Sequence, residues 1–282
     1  MPQRDVLDKV LGCLLGGAIG DAFGGVAERG RPCLSDDTQL TLATCESIVA
    51  NRGLDPAHLA QTFRTWFENQ RLTGLGSSTL KALRDLAAGA HWALAGARGE
   101  MAAGNGGAMR IAPLAFLPVD RVLVRDTVRI THHSDEAYIG ALAVVEAIRM
   151  DWSPALPEML HDVAERVPDS RVRDRLKTVA EITRYAGLGA IASGLGASGY
   201  VVDSVPLALA AAWHMLDRSY DVALEELVAI GGDTDTIASI AGQVAGARGG
   251  LRVLPRRLLK DLPQRQAIED VGAAFARYLE AG

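Results

Sequence analysis

"VLGCLLGGAIGDAFGGV", Val10–Val26, decides what kind of fold this chain can have, because three readings compete for it. A bilayer span needs about 20 predominantly apolar residues. This run is shorter, carries Asp21 and is studded with glycines. As a signal peptide it fails too, since acidic Asp5 and Asp8 precede it and no small-residue cleavage site follows. The remaining reading is a core helix whose glycines let a neighbour pack closely. No membrane association is expected.

Outward from that helix, apolar residues recur at helical spacing in Leu42–Ile48, Leu80–Leu86, Ile139–Ile148, Val205–Leu216 and Ile268–Leu279. Alternating strand patterns are scarce, and good helix formers dominate. Asp55-Pro56 predicts a helix start, with the helix ending before Gly74; Ser153-Pro154 and Pro168–Ser170 predict two more starts. Neither a fixed-period repeat nor a linker divides the chain. The prediction is an all-α fold, one compact multi-helix domain over residues 1–282. About a dozen helices should surround one core.

Composition narrows the function. A content of 49% hydrophobic and 22% charged residues is ordinary for a globular protein, and a net charge of −5 argues against nucleic acid or anionic lipid as partner. The basic stretch "RVRDRLK", Arg171–Lys177, has acid mixed into it and reads as a solvated helix face. Cys13, Cys33 and Cys45 are odd in number and lack paired metal spacing. They fit reduced thiols in a cytoplasmic protein. A monomer is expected.

The polar clusters are less ordinary. "GGDTDTIASIAGQVAGA", Gly231–Ala247, alternates carboxylates and hydroxyls before a buried-looking helix, and "SDDTQL", Ser35–Leu40, does the same far upstream. Helix capping explains one Asp in each. Adjacent Asp36 and Asp37 diverge by about 100° on a helix and could serve two cations. Asp233, Asp235 and Thr236 lie across a loop-to-helix junction where oxygens can converge. Brought together, these carboxylates would repel without cations between them, and an all-oxygen set suits Mg²⁺ or Mn²⁺. "GNGGAMRIAP" (Gly104–Pro113), "THHSDEA" (Thr131–Ala137) and "SGYVVDS" (Ser198–Ser204) fall at helix starts and glycine turns, whose backbone N–H groups suit phosphate. Three rival patterns fit poorly. A dehalogenase-type Asp-x-Asp needs a parallel sheet; an isoprenoid-synthase motif needs a third Asp where Leu40 stands; an HD motif needs His133 and Asp135 adjacent.

Five segments in order, "GCLLGGAIGDAFGGVAE", "SDDTQLTL", "GNGGAMRIAPL", "THHSDEA" and "GGDTDTIASIAGQVAGA", resemble the ADP-ribosylglycohydrolase family over nearly the whole chain. The resemblance implies that Ser35, Asp36 and Asp37 hold one metal and that Asp235 bridges to a second, completed by Asp233 and Thr236. Ser35 replaces the family's threonine. The resemblance also places Asn105, Gly106, Gly107 and His132 near ribose and diphosphate, and Tyr200 on the adenosine side. Asp36 or Glu28 would take a proton from the attacking water. Arg110 either ties helix ends together or reaches the diphosphate. His133 reads as a bystander, and Met109 as core.

The implied reaction releases ADP-ribose from a modified protein or an ADP-ribose-containing small molecule, with arginine the expected acceptor. O-linked serine or O-acetyl-ADP-ribose is the alternative. A non-catalytic ADP-ribose-binding or crystallin-like role does not need the intact Asp36, Asp37, Asp233 and Asp235. One departure stands out: six residues, Arg29–Leu34, separate Glu28 from Ser35, where the family usually has a much longer segment. An open, shallow entrance is the expectation.

Overall fold

The apolar runs fold as helices in the computed structural model, which describes residues 3–99, 102–151, 156–183 and 186–281. The first half holds α1 (Gln3–Gly24), α2 (Val26–Arg29), α3 (Asp36–Asn51), α4 (Pro56–Glu68), α5 (Ser77–Ala87), α6 (Trp92–Ala95), α7 (Arg121–Arg129) and α8 (Asp135–Arg149). The second holds α9 (Leu156–Arg166), α10 (Arg171–Thr183), α11 (Leu188–Leu195), α12 (Val201–Asp217), α13 (Tyr220–Ile230), α14 (Thr234–Gly249), α15 (Arg256–Asp261) and α16 (Arg265–Ala281). Two short strands, β1 (Ala97–Arg98) and β2 (His132–His133), pair in parallel. The all-α prediction holds. The excess over a dozen helices comes from pieces such as α2, α6 and α15, which are too brief to show a period.

Start signals act as the sequence predicts. Asp55 accepts from the Ala57 N–H with Pro56 in the first turn of α4. Ser170 Oγ accepts from the Arg173 N–H at the start of α10. The Ser153-Pro154 signal lies outside the described residues. The basic face of α10 is paired: Lys177 meets Glu165 at 2.9 Å and Arg175 meets Asp203 at 3.3 Å. All three cysteines are free. Among the described residues, no helix is long and apolar enough to cross a membrane.

The centre is the pair α1 and α14. Both are buried on nearly all sides, so neither is amphipathic. Their small residues meet in antiparallel order: Gly12 faces Gly246, Gly16 faces Gly242, and Gly20 faces Ala238. At each step an added Cβ would overlap the backbone opposite. The i, i+4 spacing of glycine on both helices thus brings two backbones into contact. Tyr220 crosses the seam, its hydroxyl donating to the Gly16 carbonyl at 2.6 Å. This packing sets the C-terminal end of α1, with Asp21, beside the N-terminal end of α14, with Asp235.

Candidate active site

Three segments converge where α1 ends and α3 and α14 begin. Asp21, Asp37 and Asp235 each bring a carboxylate oxygen to within 4.8 Å of the others, close enough for one ion to touch all three. Asp36 and Asp233 line the same cleft, together with Asp37, Asp235 and Thr236. The two distant sequence clusters therefore share one wall. Gly231 and Gly232 make this possible, both with φ in the left-handed region. Their turn lets the Asp233 N–H reach the Ala197 carbonyl at 2.8 Å, where a side chain on Gly232 would collide.

Capping accounts for only part of this. Ser35 is a cap, accepting from the Asp37 N–H at 3.3 Å. Asp233 occupies the cap position of α14 but makes no side-chain cap bond. Its Oδ2 instead accepts from the Asn105 amide at 2.6 Å. Asn105 thus orients a carboxylate across the cleft, a more definite task than proximity to a sugar.

Asp21 is the residue that sequence reasoning missed, having counted it only as a charge unsuited to a membrane. Fully buried, it accepts at one oxygen from the Ser35 N–H (2.9 Å) and the Thr38 hydroxyl (2.7 Å), and at the other from the Ser35 hydroxyl (2.8 Å). The available signal was a lone acid in the apolar run Val10–Val26, which must be paired or hydrogen-bonded to be buried. Through these bonds Asp21 holds Ser35 and Thr38 in place.

The cluster is short of positive charge. The Ser35 hydroxyl lies 2.8 Å from Asp21 and 2.9 Å from Asp37, and its single proton can serve only one of them. Asp37 Oδ1 is buried without a hydrogen-bond partner. Burial, then the charge of Asp21, pushes the Asp36 carboxyl up to about 8. Burial and the charge of Asp235 push Asp233 up to about 6, although Asn105 opposes the rise. Asp37 is raised well above its ordinary value, by burial first and then by its acidic neighbours. Orphaned carboxylate oxygen plus mutual repulsion is the condition that a bound cation relieves.

The opposite wall is the glycine loop. The Asn105 N–H donates to the Gly199 carbonyl and the Val201 N–H to the Ala103 carbonyl, so "GNGG" and "SGYVV" are stitched together. Gly106 and His132 line the carboxylate cleft, of about 280 Å³. Through Gly104 and Gly199 it continues into a cleft of about 870 Å³ bordered by Tyr200, Arg171 and Glu136. Gly107 packs on Val128. Glu28 falls in α2, and its side chain lies outside the described residues. A third cavity, about 720 Å³ and lined by Ala192, Ala229 and Ile230, has Glu226 as its one charged wall residue and offers no such chemistry.

Arg110 resolves the open alternative. It is fully buried and donates to the Gly106 and Thr127 carbonyls and, at 2.9 Å, to the Thr131 hydroxyl. It ties elements together and does not line the cleft. Thr131 Oγ1 stands 2.8 Å from His132 Nδ1. Since Thr131 accepts from Arg110, its own proton is satisfied by donation to Nδ1. His132 then carries its hydrogen on Nε2, the nitrogen that faces Gly104 and Gly106.

Burial, then the charge of Arg110, pushes the His132 pKa down to about 3. Its ordinary value is 6.5, so an unfolded chain takes up a proton below that pH while the folded one does not. The stability His132 contributes is therefore present above pH 6.5 and lost as the pH falls toward 3. Nitrogen-15 NMR should show the neutral Nε2–H form unchanged from about pH 5 to pH 8. An inflection near the ordinary value would contradict the Arg110–Thr131–His132 arrangement.

The helical fold thus sets a carboxylate cluster against a glycine-loop wall, and comparison with known proteins gives its family. A sequence model for ADP-ribosylglycohydrolase matches residues 2–281, so the chain belongs to the ADP-ribosylglycohydrolase family. It is 27% identical to an ADP-ribosylarginine hydrolase, Tri1, of Pseudomonas putida, covering 95% of this chain and 78% of that one. The ADP-ribosylhydrolase ARH3 of Bos taurus is 27% identical, covering 88% and 87%. Among solved structures, an ADP-ribosylglycohydrolase-related protein complex superposes with a TM-score of 0.72 at 29% identity, covering 98% of this chain and 99% of that one. The protein is a glycohydrolase acting on a glycosidic bond of ADP-ribose.

Proposed function

We propose that this enzyme releases ADP-ribose from modified arginine side chains of proteins, using two divalent cations, Mg²⁺ or Mn²⁺. Asp36, Asp37 and Ser35 would hold one cation and Asp233 and Thr236 the other, with Asp235 between them. The observation that carries the metal reading is the buried, unpartnered Asp37 Oδ1 among crowded carboxylates whose pKa values are raised. Such a donor set of carboxylates and hydroxyls fits a hard cation. The arginine acceptor is supported by the name of the Pseudomonas relative, an ADP-ribosylarginine hydrolase.

Bound there, divalent cations supply Lewis-acid polarisation and lower the pKa of a water. The chain's own groups do the rest. The Asp36 carboxylate, or that of Glu28, accepts the proton as the water oxygen attacks the anomeric carbon and the carbon–nitrogen bond breaks. That proton passes to the departing guanidine nitrogen. His132 Nε2–H donates to a ligand oxygen beside Gly106, and Asn105 keeps Asp233 aimed at the cleft. Tyr200 and Arg171, which line the larger cleft, would border the adenosine side.

The test is a panel of peptides ADP-ribosylated at arginine, at serine or as the O-acetyl analogue, incubated with Mg²⁺ or Mn²⁺. Fastest ADP-ribose release from the arginine linkage is expected; a preference for an O-linkage would overturn the acceptor assignment. A second test probes the loop. A Cβ on Gly106 would stand 2.7 Å from His132 Cε1 and 3.1 Å from Thr79 Oγ1. Gly106→Val should displace His132 and weaken ADP-ribose binding roughly tenfold or more with the fold intact. Unchanged calorimetric affinity would move the binding wall elsewhere.

A further inference from the structure

The segment between α2 and α3 is short, and Arg29 at its start points back into the carboxylate cluster. Its guanidinium donates to the Asp21 carbonyl at 2.7 Å and lies 3.4 Å from both Asp21 Oδ1 and Asp235 Oδ2. The Nε–H donates to the Gly25 carbonyl at 3.4 Å. This seat is built: carbonyls near the C-terminal end of α1 favour a cation there, and a Cβ on Gly25 would overlap the guanidinium. Among the described residues, no other cationic side chain lies within ion-pair distance of Asp21, Asp36, Asp37, Asp233 or Asp235.

The two sides of the cluster are consequently unequal. Asp37 Oδ1 has no partner to give up. On Asp235 both oxygens are already engaged: Oδ1 accepts from the Thr236 N–H at 2.8 Å and Oδ2 faces Arg29. We propose that Arg29 is a built-in cation that competes with a divalent ion for Asp235 Oδ2, the oxygen it faces, so that the ion drawing on Asp37 and the other Asp235 oxygen loads freely and the ion that needs Oδ2 loads only as the guanidinium withdraws. This rests on the metal reading given above. The Asp235 side then fills only at higher metal concentration, which makes turnover sensitive to the supply of free cation. The planar fork of arginine suits a seat with carbonyl and carboxylate acceptors in different directions.

The experiment is stepwise Mn²⁺ titration of the full-length, metal-stripped protein, by calorimetry with native mass spectrometry to count ions. The wild type should take one Mn²⁺ tightly and a second at least about tenfold more weakly, since a fixed positive charge opposes a second cation. Arg29→Gln should tighten the second step about tenfold and leave the first within about twofold. It should also lower the melting temperature of the metal-free protein, whose carboxylate cluster loses the one cation in ion-pair distance among the described residues. Arg29→Lys, which keeps the charge, should leave the second step weak. If wild type and Arg29→Gln bind two ions with the same stepwise affinities, the inference fails and the metal reading stands. If neither variant nor wild type binds Mn²⁺, both fall together.

Discussion

Alanine at Asp235 is expected to lower kcat/KM roughly a thousandfold, on the scale of the several kcal/mol a metal centre supplies. Asp235 stands in the group whose carboxylate oxygens all lie within 4.8 Å, and the proposed function assigns it to both cations. No other single side chain would cost as much of the site. The same change should not unfold the protein. The charge of Asp235 raises the pKa values of Asp36, Asp37 and Asp233, so its removal relieves repulsion in the metal-free state. A thermal melt of the metal-free variant at or above that of the wild type, beside lost turnover, separates chemistry from folding. Full turnover by Asp235→Ala in chelating buffer would contradict the binuclear reading.

Gly20→Val is expected to have the largest effect on stability. Its Cβ would overlap the Ala238 carbonyl and approach the Ser239 nitrogen to 2.6 Å. Overpacking against a movable side chain costs about 1–3 kcal/mol. Here the obstacle is the backbone of α14 and cannot swing aside, so a loss of about 4 kcal/mol or more is expected against a total of about 5–15 kcal/mol. Asp21 is the next residue, so any parting of α1 from α14 also opens the carboxylate cluster. Gly189 is the control. It lies in α11 with nothing within 4 Å of an added Cβ, and alanine there should stabilise by up to about 1 kcal/mol. Denaturant midpoints would show both effects. A wild-type midpoint for Gly20→Val would refute the close backbone approach.

Much of the fold is legible because apolar periodicity reports burial directly. The runs at Leu42–Ile48, Ile139–Ile148 and Val205–Leu216 fall in α3, α8 and α12. The glycine-studded stretch at Val10–Val26 reads as a core helix, and α1 covers it as far as Gly24, its glycines packed against α14. Short elements such as α2 and the two-residue strands have no period to read. In the candidate site, the motifs mark which residues meet but not how they hold one another. Asn105 and Asp233 are bonded across 128 residues of sequence, and nothing local to either predicts it. Asp21 was hidden by its apolar neighbours. Arg110 looked equally suited to ligand or scaffold until its burial and its bonds to Thr127 and Thr131 were visible. Arg29 counts in the sequence only as the first residue of a short segment; its approach to Asp21 and Asp235 shows only in the fold.

The most direct measurement is release of free ADP-ribose from an ADP-ribosyl-arginine protein by metal-stripped enzyme, before and after addition of Mn²⁺ or Mg²⁺. No release with chelator, recovery on adding either cation, and no recovery in Asp235→Ala is the predicted result. Equal release with and without chelator, in wild type and variant alike, would contradict it.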